Sequence, residues 1–578
     1  MGKKKKTEAQ KEDILRIASF ILLDAALFHE ILAGVRKDIN PISSLYKPLK
    51  NSLIKEWEKI LKIDYESIFN IRLKIVQNLP SSPKIEFMLQ EITSLTTKIA
   101  SSGTYLRHDL MGRIYHKLLL RTTGGYYATY YTSIPAAVLL SNLIVKSYNP
   151  NLNWDFRNEE NIKNLRIIDP ACGSGTLLSA IYTVIRNEYL LHNEKAQLKK
   201  LHQILLEHTI YGLDILDYAS HLTLTSLSLH NPKAVFDEAN IYTLPIGVLA
   251  KDVYLGSLDF LRTEQQLTLI GKDWTLPFKR TGLTKEEEVY KPLNLESHSF
   301  DIVIMNPPFS RSAKPNLIFG FTTEEVKRLM TKELKRIAKE YKIQLQNGEE
   351  IDLKGIGQAG LGAYFIFIAD KLLKNGGRLG LVIPRVLLSG VSWEKVRKLL
   401  YFNFEIEYII SNFDPGDRSL GIEGWNWSEN TDLGEILIVA RKTQMPLDSR
   451  KTAFINLHNK PGNAVESILI SQQILNRRKE LKETIKEGKY TTIDLGDKEI
   501  GFIYLMSQKD LDVNFLFPCL FSHPELNYLI LELNDCLPIV QLSELLVSSG
   551  IDIKQIKDHF VKTDKSSVYK IYGGTSLH

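Results

Sequence analysis

The chain has 578 residues, 44% of them hydrophobic and 24% charged, and a formal net charge of +6. This composition describes a globular protein of two or three domains, and the small positive excess suits a nucleic-acid partner without requiring one. Three widely spaced cysteines, Cys172, Cys519 and Cys536, exclude a disulfide framework and a zinc cluster, so we expect a reducing cytoplasm and no metal site.

The first predicted region, residues 1–120, has the pattern of a helical N-terminal domain. Apolar residues recur at helical spacing among many charges and few glycines, for example in Ile54–Ile63 and Asp109–Leu120. The apolar run Ile14–Val35 is interrupted by charged residues such as Asp24 and Glu30. It therefore predicts an amphipathic helix rather than a membrane span.

The second region, residues 121–445, alternates helical segments with short apolar runs. These runs are Leu165–Ile168, Thr209–Leu213, Asp301–Met305, Arg378–Ile383 and Ile406–Ile410. They predict an α/β Rossmann-like fold, with a mostly parallel sheet that has helices on both faces and binds ligands beyond the carboxyl ends of its strands. Residues 446–578 are weakly periodic and form a predicted C-terminal extension. Their last residues have a turn-like composition, so we expect the chain to stop inside a domain.

A glycine-bearing turn follows a predicted strand in LRIIDPACGSGTLLSA, Leu165–Ala180. Gly173 and Gly175 allow the backbone to turn sharply and to approach a ligand closely. Asp169 ends the strand, where its carboxylate can accept hydrogen bonds from a bound cation or amine. The spacing is neither that of the G-x-G-x-x-G fingerprint nor that of a P-loop.

Acidic residues also end two later predicted strands. Asp214, in IYGLDILDYASHLT, stands at the end of the second strand of a βαβ unit, where a carboxylate can hold both ribose hydroxyls. In VYLGSLDFL, Gly256, Ser257 and Asp259 lie at the end of a third strand. These positions extend the candidate ligand site to three neighbouring strand ends.

The stretch DIVIMNPPFS, Asp301–Ser310, ends an apolar strand with two prolines, which forbid both helix and ladder pairing. Asn306 precedes the prolines and Phe309 follows them. A buried strand that ends in a proline turn explains the apolar run, but it does not explain an amide and an aromatic ring on either side of the rigid point. The segment is therefore a candidate catalytic element.

A predicted helix after this segment has a basic side and an apolar side. The basic side consists of Arg328, Lys332, Lys335, Lys339 and Lys342. The apolar side consists of Val326, Met330, Ile337 and Tyr341. The basic side either follows nucleic-acid phosphates or is simply a solvated helix face, and the sequence leaves both readings open.

Together these motifs resemble those of the N6-adenine DNA methyltransferases that use S-adenosylmethionine. DPACGSGT followed by NPPF is similar to the family's pair of signatures, and ATYYTSIPAA, Ala128–Ala137, resembles its tyrosine motif. The motif order is the gamma order of type I modification subunits and large defence-system methyltransferases. Three positions depart from the family pattern: Ala128 stands where a glycine usually opens the tyrosine motif, Ser133 stands where a proline usually closes it, and Ser257 stands where an acid usually follows the third-strand glycine.

The resemblance implies a cofactor site and a catalytic segment. The implied cofactor residues are Tyr131, Thr132, Asp169, Ala171, Cys172, Gly173, Gly175, Asp214, Ile215 and Asp259. The implied catalytic residues are Asn306, Pro307, Pro308 and Phe309. In this scheme Asp169 and the turn hold the amino-acid end of the cofactor, Asp214 holds the ribose, and Ile215 and Asp259 contact the adenine. Cys172 is expected to be a small packing residue.

The implied chemistry explains the proline segment. The side-chain oxygen of Asn306 and the carbonyl of Pro307 accept the two hydrogens of an adenine amine and draw its lone pair out of conjugation, so it attacks the sulfonium methyl directly. Phe309 offers a flat face for the base, which must be flipped out of the duplex at a cost of a few kcal/mol.

The resemblance therefore implies a site-specific DNA methyltransferase of a restriction-modification or phage-defence system. Its expected partners are double-stranded DNA and a specificity or restriction subunit, with the C-terminal extension as part of a target-recognition region. Two alternatives stay open. One is an RNA or protein-glutamine methyltransferase, since some of these also carry NPP motifs. The other is a catalytically inactive DNA-targeting subunit, against which the intact Asp169, Asn306 and Phe309 argue.

Overall fold

The computed structural model describes fourteen stretches of the chain. They are residues 8–62, 66–102, 131–234, 236, 238–249, 251–262, 276–283, 291–293, 295–309, 323–417, 422–424, 426–429, 434–511 and 522–536. The predicted helix Asp109–Leu120 and the turn-like last residues lie outside these ranges.

The described α-helices are distributed from residue 8 to residue 536. They are α1 Glu8–Val35, α2 Leu49–Leu61, α3 Glu66–Asn78, α4 Pro83–Ser102, α5 Ile134–Val145, α6 Glu159–Asn164, α7 Thr176–His192, α8 Leu198–Ile204, α9 Asp217–Ser228, α10 Glu324–Glu340, α11 Leu361–Leu372, α12 Glu394–Asn403, α13 Ala464–Glu480 and α14 Pro524–Cys536.

The described β-strands begin only after the first four helices. They are β1 Tyr131–Thr132, β2 Ile167–Asp169, β3 Ile210–Asp214, β4 Glu238–Thr243, β5 Ile246–Leu249, β6 Asp252–Leu255, β7 Leu276–Leu283, β8 Lys291–Leu293, β9 Phe300–Met305, β10 Lys342–Gln344, β11 Glu350–Asp352, β12 Leu373–Pro384, β13 Phe404–Asn412, β14 Gly416–Asp417, β15 Ile422–Glu423, β16 Ser428–Glu429, β17 Glu435–Lys442, β18 Lys451–Leu457, β19 Tyr490–Leu495 and β20 Lys498–Ser507.

The N-terminal helices α1 to α4 form a helical region with an apolar core of its own, as predicted. Trp57 and Phe69 lie in this core with their ring centroids 5.6 Å apart. The stretch Ala18–Val35 of α1 has a mean hydropathy of 1.7 and is long and apolar enough to cross a membrane by length and composition, yet 56% of it is buried inside the protein.

A buried ion pair lies in the middle of that stretch. Asp24 Oδ2 accepts a hydrogen bond from Arg72 Nη2 of α3 at 3.0 Å and one from Thr225 Oγ1 of α9 at 3.2 Å. Burial raises the pKa of Asp24 against the opposing effect of Arg72. Because removal of one member would leave a buried charge unpaired, this contact ties α1 firmly to α3 and α9. The stretch therefore packs as a core helix.

Twelve strands form one mixed sheet in the order β19-β20-β18-β13-β17-β12-β9-β2-β3-β4-β7-β8. Strands β4, β3, β2, β9 and β12 run parallel, and the antiparallel β17 lies between β12 and β13. Strands β9, β12, β13 and β17 are buried at most positions, so both faces of the sheet are covered. The predicted fold class is confirmed.

The sheet continues beyond the predicted methyltransferase region. Strand β18 pairs in parallel with β13, and β20 and β19 follow it at that edge. Helix α13 packs against α5. The predicted boundary at residue 445 thus falls between two strands of one sheet. By its contacts the chain divides into two compact units, Met1–Asn527 and Tyr528–His578, and of the second only residues 528–536 are described.

Candidate active site

Two predicted site residues lie at adjacent strand ends, where the chain order of the sheet reverses. Strand β2 pairs in parallel with β9, with Ile168 opposite Val303. Strands β3 and β4 follow on one side of this pair, and β12 follows on the other. Ligands of open α/β sheets bind in the crevice at such a switch point. Asp169, which ends β2, and Asn306, which follows β9, therefore share one edge of the sheet.

The glycine turn after β2 is held by hydrogen bonds to the end of β3. The N–H of Cys172 donates to the carbonyl of Leu213 at 2.9 Å, and the N–H of Gly173 donates to Asp214 Oδ2 at 2.9 Å. The structure thus brings together the turn and the acidic residue predicted to hold a ribose. The Cys172 thiol is buried and its pKa is raised by that burial, which suits a packing residue.

The two glycines of the turn have different surroundings. Both are left-handed, with φ of +55° at Gly173 and +80° at Gly175. A Cβ at Gly173 would meet nothing within 4 Å, whereas a Cβ at Gly175 would lie 2.9 to 3.0 Å from atoms of Thr223 in α9. Thr223 Oγ1 also donates to the carbonyl of Gly173 at 2.9 Å. Gly175 is therefore required for packing, while Gly173 leaves open space beside the turn.

The carboxyl group of Asp169 is buried, and that of Asp214 is half-buried. Asp169 Oδ1 accepts the N–H of Ala171 at 2.9 Å, and Asp214 Oδ1 accepts the N–H of Leu216 at 2.9 Å. Burial raises the pKa of both groups, and the charge of Asp214 raises the pKa of Asp169 further. Among the described residues no lysine or arginine pairs with either. Their chemistry suits a ligand that brings an ammonium group and hydroxyl donors.

At the third strand end, Asp259 already accepts hydrogen bonds from the protein through both of its side-chain oxygens. Gly256 packs so closely on Ile215 that a Cβ there would lie 2.4 Å from Ile215 Cγ2. Asp259 Oδ2 accepts the N–H of Leu255 at 2.7 Å, and Oδ1 accepts Arg262 Nε at 2.8 Å. Burial nevertheless raises the pKa of Asp259 to about 6. The predicted contact of Asp259 with an adenine amine would have to use the lone pairs that these two bonds leave.

Helix α10 is tied to this strand end through Arg262, which also donates to Glu333 of the helix. The apolar side of α10 packs against β5 and β6. Lys342, predicted to continue the basic side, falls in β10 and pairs with Glu350 at 2.6 Å. The remaining cations are exposed and make no ion pair within the described part of the chain. These residues, which we term the basic face of α10, are Arg328, Lys332, Lys335 and Lys339.

The amide of Asn306 is held from one side by two hydroxyl groups. Its Nδ2 donates to Thr132 Oγ1 at 2.9 Å and to Ser428 Oγ at 2.9 Å. Pairing of β1 with β16 sets Thr132 opposite Ser428 and so brings both hydroxyls to the amide. Asn306 Oδ1 is buried and has no hydrogen-bond partner among the described residues. Thr132, predicted to contact a cofactor, here contacts the Asn306 amide, with Tyr131 buried beside it.

Glu435, the first residue of β17, lies behind Ser428. Its Oε2 accepts the N–H of Trp427 at 2.8 Å and the N–H of Ser428 at 2.6 Å. Burial raises the pKa of Glu435 to about 7. The sequence reasoning missed both Ser428 and Glu435. The one visible signal was an acidic residue at the start of a strongly apolar strand.

The proline segment packs against the start of α11. A Cβ at Gly362 would lie 3.5 Å from Pro307 Cγ and from the Pro308 carbonyl oxygen, and 3.6 Å from the ring of Phe309. Pro307 and Phe309 are buried and Pro308 is half-buried. The start of α11 therefore packs directly against the proline segment.

Two sizeable cavities are lined by other residues than the predicted site residues. One, of about 620 Å³, is bounded by α5, α7 and α13, and the other, of about 730 Å³, lies around His298 and Lys442. Neither is lined by a predicted site residue. The strand ends, and not cavity size, single out the candidate site.

Comparison with known families agrees with the motif order. Residues 106–244 match the family model described as N-6 DNA Methylase, and residues 208–416 match the one described as Eco57I restriction-modification methylase. The type II restriction enzyme and methyltransferase RM.Eco57I of Escherichia coli is 24% identical over 285 residues, which is 43% of this chain and 23% of that protein. The adenine-specific methyltransferase BrxX of Escherichia coli O9:H4 (strain HS) is 36% identical over 61 residues, 11% of this chain and 5% of that protein. The chain thus spans less than a quarter of either relative.

Two solved structures of restriction-modification proteins align with this chain at low sequence identity. The type I restriction-modification methyltransferase subunit from Streptococcus thermophilus aligns with a TM-score of 0.44 at 14% identity, over 89% of this chain and 95% of that chain. The type IIG restriction endonuclease BpuSI aligns with a TM-score of 0.43 at 15% identity, over 88% of this chain and 44% of that chain. The two family models together cover residues 106–416, and over this region the chain matches models of the N-6 DNA methylases and of the Eco57I restriction-modification methylases.

Proposed function

We propose that this chain transfers a methyl group from S-adenosylmethionine to the N6 amine of an adenine flipped out of double-stranded DNA. The observation that carries the proposal is the amide of Asn306, whose nitrogen is occupied by two hydroxyl groups while its buried oxygen has no partner among the described residues. A buried acceptor left unpaired costs about 1–3 kcal/mol. An adenine amine would satisfy this acceptor.

The residues around the glycine turn fit S-adenosylmethionine. Asp169 is a buried carboxyl without a cationic partner in the described structure, and the ammonium group of the cofactor would supply one. Gly173 leaves open space beside the turn. Asp214 would accept from ribose hydroxyls with the lone pairs that its bonds to Gly173 and Leu216 leave. When bound, the cofactor supplies an electrophilic methyl group on a sulfonium centre.

The protein's part in the reaction is to prepare the amine. Asn306 Oδ1 and the Pro307 carbonyl accept one hydrogen each from N6, which turns the nitrogen lone pair out of the ring and stabilises the positive charge that develops on it. The proline backbone and α11 hold these acceptors in place, so little reorganisation is needed. Phe309 stacks on the extruded base and offsets part of the cost of unstacking it.

The proposed setting is a restriction-modification or phage-defence system in the cytoplasm. Double-stranded DNA is the proposed substrate, with a specificity or restriction subunit as the partner that completes target recognition. The basic face of α10 is attached to the third strand end through Arg262 and Glu333, and we assign it to the DNA phosphates.

The test is transfer of tritium from labelled S-adenosylmethionine to three acceptors: duplex DNA, RNA and total protein. We expect label in duplex DNA, recovered as N6-methyladenine, and no transfer by an Asn306→Ala variant that folds and binds cofactor normally. Label in RNA or protein alone would replace the proposed substrate. Cofactor binding without transfer to any acceptor would favour an inactive DNA-targeting subunit.

A further inference from the structure

Val391 has the most exposed large apolar side chain among the residues that the structure describes. It is 84% exposed and lies between the small residues Ser389, Gly390 and Ser392. A single exposed apolar side chain is ordinary on a protein surface, so its exposure alone indicates no function. What distinguishes Val391 is how rigidly the protein holds it and where it lies.

The loop that carries Val391 is fixed by a buried arginine. Arg397 of α12 is 3% exposed, and its Nη1 donates to the carbonyls of Leu387 at 2.9 Å and of Gly390 at 2.7 Å. The N–H of Gly390 donates to the carbonyl of Val386 at 2.7 Å, and a Cβ at Gly390 would lie 2.8 Å from that same oxygen. A glycine is therefore needed to close this turn, and Val391 follows it from a rigid base.

The course of β12 leads Val391 to the edge of the sheet that holds the candidate site. Strand β12 runs parallel to β9, with Leu381 opposite Met305. It ends at Pro384, beside the residues that follow Asn306, and the loop of Val391 continues from this end. The loop therefore begins next to the candidate catalytic segment.

Contacts near the start of α11 lead to the same place. The 3-10 helix Val391–Trp393 lies against the 3-10 helix Ile356–Gln358, which precedes α11 in the chain. Gly362, in the first turn of α11, packs against Pro307 and Phe309. The loop of Val391 and the proline segment thus both adjoin the residues that lead into α11.

A base that leaves the duplex creates a gap in the stack, and proteins insert apolar side chains between base steps in such places. We propose, on the basis of the proposed function, that Val391 is a wedge which enters the DNA stack where the target adenine has left it. The wedge fills the gap and opposes the return of the adenine. The small neighbours Ser389 and Ser392 allow the loop to approach the duplex closely.

The surroundings of Val391 favour DNA over a protein as the occupant. The described side chains of Leu387, Leu388 and Trp393 are buried, and Val386, at 41%, is the other exposed large apolar side chain of the loop. A protein interface needs a cluster of apolar side chains at its core. One valine does not make such a core, whereas one side chain is enough to occupy part of the space of one base.

The test compares Val391→Ala and Val391→Leu with Val465→Ala in single-turnover methylation of a duplex that carries the adenine methylated by the wild-type chain. Val465 is a matched control, because it is a valine of α13 that is 65% exposed. Val391→Ala should lower both the rate and the flipped fraction of 2-aminopurine at the target position about tenfold, which corresponds to about 1.4 kcal/mol. Val391→Leu and Val465→Ala should stay near wild type, and cofactor affinity should be unchanged in all three.

A mismatched duplex separates a wedge from an ordinary DNA contact. A mismatch at the target adenine lowers the cost of flipping, so the base is mostly extruded with either protein and Val391→Ala should lose less than about twofold there. An equal loss on paired and mismatched DNA, or a rate within twofold of wild type on paired DNA, would overturn the proposal. A loss that appears only when a partner subunit is bound would also overturn it, since Val391 would then be a protein contact. A wild-type chain that methylated no adenine would refute the proposed function, and the wedge with it, before the variants were compared.

Discussion

The two glycines of the turn after β2 provide a sharp test because the same substitution should act on different properties. Gly173→Ala places a methyl group in open space beside the turn, and Gly175→Ala places one against Thr223. Gly348 offers a matched control, since its φ is +88° and a Cβ there also meets nothing within 4 Å, in the distant turn between β10 and β11.

The magnitudes follow from backbone strain and crowding. A left-handed conformation costs a residue with a Cβ about 1–2 kcal/mol, and this should be the whole loss of unfolding free energy in Gly173→Ala and Gly348→Ala. Gly175→Ala adds contacts of 2.9 to 3.0 Å with a neighbouring helix. Overpacking of this kind costs about 1–3 kcal/mol more. The methyl group of Gly173→Ala should instead weaken binding of S-adenosylmethionine, by about tenfold if it costs 1.4 kcal/mol there.

Urea denaturation and titration calorimetry measure the two effects separately. We expect Gly175→Ala to be the least stable variant, Gly173→Ala to bind cofactor more weakly than its stability loss explains, and Gly348→Ala to bind it normally. Equal stability losses in Gly173→Ala and Gly175→Ala would contradict the packing argument. Wild-type cofactor affinity in Gly173→Ala would move the cofactor site away from the turn.

Three further outcomes follow from the site and the core. Asn306→Ala should slow single-turnover methylation by a factor of about 10²–10³ and leave cofactor affinity unchanged. Phe309→Ala should also lower the occupancy of the pocket by the flipped base, because it removes roughly 1–3 kcal/mol of stacking free energy, and 2-aminopurine fluorescence measures this occupancy. Replacing all four side chains of the basic face of α10 with alanine should weaken DNA binding alike for all sequences and reduce the salt slope by about 0.9 per lost phosphate contact; an unchanged slope would mark a solvated face. Burial lowers the pKa of His202 from 6.5 to about 3, so the folded state binds fewer protons than the unfolded state in that window. The free energy of unfolding should therefore decrease as the pH falls from 6.5 towards 3. If His202→Gln left this pH dependence unchanged in denaturation curves, His202 would not be its source.

Residues that directly follow an apolar run could be placed from the sequence. Asp169, Asp214 and Asn306 each end a stretch whose length and β-branched content predict a buried strand, and parallel strands bring such ends to one edge. The two prolines after Asn306 added a local constraint of their own. Local pattern was sufficient in these cases because the position of each residue depends on its own strand.

Contacts between residues that are far apart in the sequence could not be predicted from local sequence patterns. Asn306 and Ser428 lie 122 residues apart, and their contact depends on the two-residue pairing of β1 with β16. The pairing of Asp259 with Arg262 depends on a 3-10 helix at Gly256–Leu261 that the sequence pattern did not suggest. Strand β19 was missed because it is half-buried along most of its length and shows no clear alternation. Strands β18 and β20 are buried along most of their length, so this reason does not apply to them.

Helix α9 contacts both the glycine turn and the N-terminal helical region, through two threonines that lie two positions apart. Thr223 donates to the carbonyl of Gly173 in the turn, and Thr225 donates to Asp24 of the N-terminal helical region. A ligand that orders the turn therefore acts on the same helix that receives the buried Asp24–Arg72 pair. If a ligand at the turn changes how firmly α1 docks on α9, then displacing α1 would change the affinity at the turn by the same factor, because coupling between two sites is reciprocal. Helix α9 thus connects the N-terminal helical region directly to the glycine turn.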